Sequence, residues 1–204
     1  MENAGRALAL VAWRRFLAHV PDCRVTVLAV TGGNGGGALA AARRLACWGA
    51  RVEIVLARPS ETLTPVPARQ LAALRAMGLD VSAAPGPRRD LILDGLVGYS
   101  LNGAPSGRVA NLINWANAQP VPTLALDVPS GFDTARGRAL SPSIRAHATV
   151  TLALPKTGMT GPDREPSIGD LYLVDISVPP GLYGEMGWRK PPPPFGQGDI
   201  LRIG

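Results

Sequence analysis

Two aspartates, an asparagine, a serine and a lysine stand out in this sequence, because each follows a short apolar run. Asn34 lies in "VTGGNGGGALAAARRL" (residues 30–45), directly after "RVTVLA". Asp94 closes "DLILD" and leads into "GLVGYSLNG". Asp127 closes "PTLALD" and leads into "VPSG", which holds Ser130, while Lys156 follows "ATVTLAL". A carboxylate beside a reacting carbon can give or take a proton. Carboxylate, hydroxyl and amide oxygens are hard donors, better suited to a group 1 or group 2 cation than to zinc. The glycine run frees backbone N–H groups to face an anion, with the positive end of a helix behind them.

Each of these residues also has a plainer reading. A single strand-end aspartate often caps the next turn, but two of them on glycine-containing turns beside a glycine loop favour a site. Lys156 is one of two lysines in an arginine-biased chain. That favours a specific ammonium there, and a surface lysine fits equally well. His19 and His147 follow no strand end and read as structural.

The elements that must position these groups follow from periodicity. Apolar residues at helical spacing predict a helix within 2–20, and further helices are expected at 36–48, 67–77 and 106–118, the last with Val109, Leu112, Ile113 and Ala116 inward. Apolar runs predict strands at 24–31, 51–57, 80–84, 90–94, 122–128, 148–154 and 170–176. Alternating strands and helices define an α/β protein, here a three-layer α/β/α sandwich with a Rossmann-like, mostly parallel sheet. In such a sheet the carboxyl ends of the strands share one edge, where ligands bind. Residues 1–180 read as the folded domain and 181–204 as a Pro/Gly-rich tail on the surface or on a partner subunit. Within the tail, the prolines at 191–194 are expected in polyproline II form.

At 204 residues the chain is long enough for one domain with a full core. The net charge of +6 comes almost wholly from arginines that never form a long run, which argues against nucleic acid as a partner. Cys23 and Cys47 read as small core residues in a reducing compartment. No apolar run reaches membrane-spanning length, and the acid near the start of "MENAGRALAL" argues against a signal peptide. A cytoplasmic protein acting on a small molecule is expected.

The glycine loop alone permits more than one function. Gly33-x-Gly35-x-x-Ala38 fits a loose dinucleotide-binding pattern, but Ala57 and Arg58 stand where an acid would hold the ribose of NAD. A turn that merely allows tight helix–strand packing is the bland alternative.

Taken in order, "MENAGRALA", the glycine loop running into "AARRLACWG", "LILDGLVG", "ALDVPSGFD", "AHATVTLALPKTG" and "GDLYLVDISVP" resemble the YjeF N-terminal domain, the NAD(P)H-hydrate epimerase fold. The resemblance spans roughly residues 1–180, and "DVPSG" and "MENAG" are its most specific parts. It implies an isomerase that interconverts the R and S hydrates of NADH and NADPH, the hydrate being substrate rather than cofactor. It further implies a potassium ion at Asn34, Asp94 and Ser130, Asp127 at the reacting carbon, and a homodimer. Lys156 is a second catalytic candidate. Substrate contacts are expected from Gly33, Asn34, Gly35, Gly36 and Gly37, from the turn Gly98, Tyr99, Ser100, Leu101, Asn102 and Gly103, and from Asp127. The family loop reads G-P-G-N-N-G-G-D-G. Here Gly33 replaces its first asparagine and Gly37 its aspartate, which predicts a wider and less acidic pocket. Two further roles fit the altered loop: recruitment to another isomerisation or rearrangement, and a non-catalytic binding or scaffold domain.

Overall fold

The apolar runs become strands and the alanine- and leucine-rich stretches become helices. The computed structural model describes the chain except for residues 186 and 188–194, so the expected polyproline segment lies outside the described residues. Helix α1 (Glu2–Ala12) continues into a single π-type turn, Trp13–Leu17. Then follow β1 (Arg24–Ala29), α2 (Gly33–Cys47), β2 (Arg51–Leu56), α3 (Pro65–Ala76) and β3 (Asp80–Ser82). The second half holds β4 (Leu91–Gly95), α4 (Gly107–Asn117), β5 (Thr123–Leu126) and a small hairpin of β6 (Phe132–Asp133) with β7 (Arg138–Ala139). It closes with β8 (Ala148–Leu152), β9 (Asp170–Val174), α5 (Pro180–Glu185) and β10 (Ile200–Arg202).

The main sheet runs β10-β9-β8-β5-β4-β1-β2-β3, and only the β10–β9 pair is antiparallel. The chain builds outward from β1 to β3, then returns to lay β4 on the free side of β1. The strand order therefore reverses between β1 and β4, the place where open α/β sheets leave a crevice. Pairing of Ala29 with Gly95, and of Asp94 with Ala125, keeps these strand ends level.

Alternation along the strands fills two layers. Val25, Val27, Leu93 and Leu124 pack with Leu8, Leu39, Leu45, Leu71 and Leu74 of α1, α2 and α3. Leu28, Val55, Ile92 and Ala125 face Leu112, Ile113 and Ala116 of α4, joined by Ile144. This is the expected three-layer α/β/α arrangement with a Rossmann-like sheet. Val109 of α4 is half-buried.

Three details differ from the sequence reading. Helix α2 begins at Gly33, not at 36, although glycine is a poor helix former. Packing fixes the turn: a Cβ on Gly35 would lie 2.0 Å from Val30 O, and one on Gly37 2.6 Å from Leu126 Cδ2. The tail does not merely lie over the surface; β10 extends the protein's own sheet, and the Leu171 N–H donates to Gly204 O at 2.7 Å. Cys23 is buried as expected, but Cys47 is exposed, because α2 ends there and turns its last residue outward. His147 is structural, its Nδ1 accepting the Thr123 N–H at 3.1 Å.

Candidate active site at the carboxyl edge of the sheet

Asp127 is the first residue beyond β5, held at φ +68°, a region that non-glycine residues seldom enter. The Val128 N–H donates back to Leu126 O at 2.9 Å, closing a three-residue turn of the rarer hand. Its own N–H donates to Val150 O at 2.7 Å, which ties the turn to β8. The cost of this conformation is of the order seen at functional positions, about 1–3 kcal/mol. The turn holds the carboxylate at the sheet edge, and the residue as a whole is only 4% exposed.

Two groups hold that carboxylate. Lys156 Nζ pairs with Oδ1 and also donates to Thr151 Oγ1 at 3.0 Å and to Leu152 O at 3.1 Å. All three ammonium protons are thereby engaged. The Tyr99 N–H donates to Oδ2 at 3.2 Å. Gly98 sits between Asp127 and Asn34: a Cβ there would stand 3.3 Å from both Asp127 Oδ2 and Asn34 Oδ1. A side chain at 98 would crowd both, so that one of them would have to give by a few tenths of an ångström.

Asp94 has a different environment. It is fully buried, and its carboxylate accepts the Ser130 hydroxyl at 2.6 Å, the Ser130 N–H at 2.8 Å and the Leu96 N–H at 3.1 Å. Burial pushes its carboxyl up to about 6, against the lowering effect of these hydrogen bonds. Ser130 Oγ also accepts the Val97 N–H at 2.8 Å. Asp94 and Ser130 thus lock the loop after β4 to the loop after β5. Asn34, at the open first turn of α2, keeps a buried Nδ2 with no hydrogen-bond partner.

These elements enclose a cavity of about 400 Å³. Of the expected substrate contacts, Gly33, Asn34, Gly98, Tyr99, Ser100 and Asp127 line it. Leu101, Asn102 and Gly103 do not; the turn carries Asn102 and Gly103 out to the surface. Gly35, Gly36 and Gly37 do not line it either, because their Cα positions are packing contacts against Val30, Met1 and Leu126. Lys156 stands behind Asp127. Sequence reasoning missed the other lining residues: Met1, Ala4, Leu126, Leu152 and Ile176. Leu126 and Leu152 could have been found as the last residues of strands whose next residues carry the chemistry. A larger cleft of about 560 Å³, lined by Arg24, Arg51, Arg88 and Arg89 among others, lies at the opposite edge, where the strands begin. It gathers none of the strand-end groups.

Fold and site together define a Rossmann-like α/β protein with a small-molecule cavity at the switch point of its sheet. The pattern of the family described as "YjeF-related protein N-terminus" matches residues 1–158, and the chain belongs to that family. It is 42% identical over 207 residues to the NAD(P)H-hydrate epimerase of Dehalogenimonas lykanthroporepellens, covering 100% of this chain and 82% of that one. It is 34% identical over 198 residues to the bifunctional NAD(P)H-hydrate repair enzyme Nnr of Salinibacter ruber, covering 88% of this chain and 36% of that protein. The chain thus aligns with about a third of the bifunctional relative's length. The fold matches the crystal structure of yeast ynu0 (YNL200c) with a TM-score of 0.83 at 22% identity, over 99% of this chain and 88% of the other. Among the described residues no helix is long and apolar enough to cross a membrane.

Proposed function

We propose that the protein is an NAD(P)H-hydrate epimerase, interconverting the R and S hydrates of NADH and NADPH. The observation that carries this is the buried Asp127 carboxylate, oriented by Lys156 and the Tyr99 N–H, on a cavity opened by the first turn of α2. The 42% identity to an NAD(P)H-hydrate epimerase across the whole chain supports it.

The substrate carbon bears a hydroxyl beside a ring nitrogen. Inverting it requires that hydroxide leave and return on the other face, through a cationic imine-like state. A fixed carboxylate near that carbon stabilises the cation and can move the proton that leaves with oxygen. Asp127 has that role, and Lys156 keeps its carboxylate in place. Backbone N–H groups at the uncapped start of α2 remain free for an anionic part of the substrate.

The family resemblance also supports potassium as a bound ion and a homodimer as the assembly. The donor chemistry here fits potassium: Asp94 carboxylate, Ser130 hydroxyl and the Asn34 amide oxygen are all hard oxygen donors. Among the described residues no three His, Cys, Asp or Glu side chains form a metal cluster. The proposed site therefore relies on one carboxylate with neutral oxygens. Held there, the ion would add positive charge near Asn34 and tie together the loops after β1, β4 and β5.

Purified protein is mixed with one hydrate epimer, and formation of the other is followed by chromatography. Asp127→Asn should lower turnover by about two to four orders of magnitude, with NADPH affinity little changed. Near-normal turnover of the variant would remove Asp127 from the mechanism. A parent protein without epimerisation would remove the proposed activity.

A further inference from the structure

The cavity has a mixed lining. Asn34, Ser100 and Asp127 supply its polar lining, and Met1, Ala4, Leu126, Leu152 and Ile176 its apolar lining. Leu126 ends β5, one residue before Asp127. It is 1% exposed, its side chain belonging to the core and its surface to the cavity. Its Cδ2 lies directly over Gly37 of α2, where a Cβ would come within 2.6 Å of it. The leucine side chain therefore occupies the place that a side chain at 37 would take.

We infer that Gly37 and Leu126 form one specificity element, in which the bare helix position lets the leucine reach over α2 and make the cavity floor beside Asp127 apolar. That floor selects a ligand presenting an uncharged ring face next to the carboxylate. The inference rests on the proposed site and deepens it: the reduced nicotinamide ring, neutral and partly saturated, lies against Leu126. The adenosine end of a dinucleotide does not touch it.

Two independent readouts test this. The first is thermal stability of Gly37→Ala, Leu126→Ala and the double variant. Alanine is the better helix former, so Gly37→Ala should raise the melting temperature once Leu126 is trimmed, and lower it while Leu126 is present. The same sign in both backgrounds would overturn the coupled element. The second is calorimetric binding of NADPH and of reduced nicotinamide mononucleotide, which lacks the adenosine end. Leu126→Ala should weaken both by a similar factor, about tenfold. Weakening of NADPH alone, of neither, or a parent that binds neither probe would overturn the ring assignment. Should the parent bind both probes yet fail to interconvert the hydrates, the epimerase reading fails while this inference stands.

Discussion

Replacing Lys156 by methionine keeps an unbranched stem one atom shorter and removes the charge and all three donors. In the native protein Lys156 is 19% exposed and Asp127 6% exposed as side chains, so water does little to replace either partner. Removing one member of such a buried pair leaves the other charged and unpaired, which costs about 3–5 kcal/mol. Thr151 Oγ1 and Leu152 O lose their ammonium donor as well. Domains of this kind are stable by about 5–15 kcal/mol, so Lys156→Met should lose a large share of that and melt roughly 6–20 °C lower. Urea unfolding followed by circular dichroism measures the loss. Asp127→Asn and the double variant complete a cycle, in which the double variant should be less destabilised than the two single losses predict together. Turnover should fall in Lys156→Met because only the Tyr99 N–H still orients the carboxylate. A Lys156→Met protein within about 1 kcal/mol of the parent would refute the argument, since Lys156 would then be a surface lysine.

Stability should also depend on pH through Asp94. Its folded value of about 6 lies above the ordinary carboxyl value of 3.8, so the folded state binds the extra proton between those limits. Stability from this group is therefore greatest below about pH 4 and declines as pH rises through 6, by roughly 3 kcal/mol in all. In potassium-free buffer, urea midpoints of the parent and of Asp94→Ala across pH 4–8 should differ in slope, and parallel curves would count against the assignment. Potassium should raise the melting temperature more than sodium at equal ionic strength, and Asp94→Ala should erase that difference. Equal melting curves in the two salts would argue against a selective site. Gly35→Ala should prevent α2 from seating on β1, because its Cβ would meet Val30 O at 2.0 Å; a soluble variant with an unchanged melting temperature would refute that packing account.

The sheet and the chemical groups were readable in the sequence because they share one signal. Apolar runs mark buried parallel strands, and the polar residue that ends each run is where the chain leaves the core. That placed Asn34, Asp94, Asp127, Ser130 and Lys156 at one edge. The start of α2 was not readable, since glycine propensity opposes a helix there and only contacts made by Val30, Met1 and Leu126 permit it. Strand β10 was hidden for a related reason: three residues in a Pro/Gly-rich context have no periodicity, and pairing with β9 alone makes them a strand. The apolar lining was only partly readable: Leu126 and Leu152 end strands just before the chemical groups, whereas Met1, Ala4 and Ile176 have no such neighbour. For those three, nothing local distinguishes an apolar residue that faces a cavity from one that faces a neighbour.

The return of the chain to β1 has a consequence in time. During synthesis the elements from α1 to β3 leave the ribosome before β4, and β1 then has an open flank with hydrogen-bonding groups facing water. Asn34 is already made, but the aspartates, the serine and the lysine that complete its surroundings arrive only with β4, β5 and the segment after β8. The nascent chain must keep that flank unoccupied until its own later strands emerge. Any apolar strand from another molecule that reaches it sooner competes for the same place.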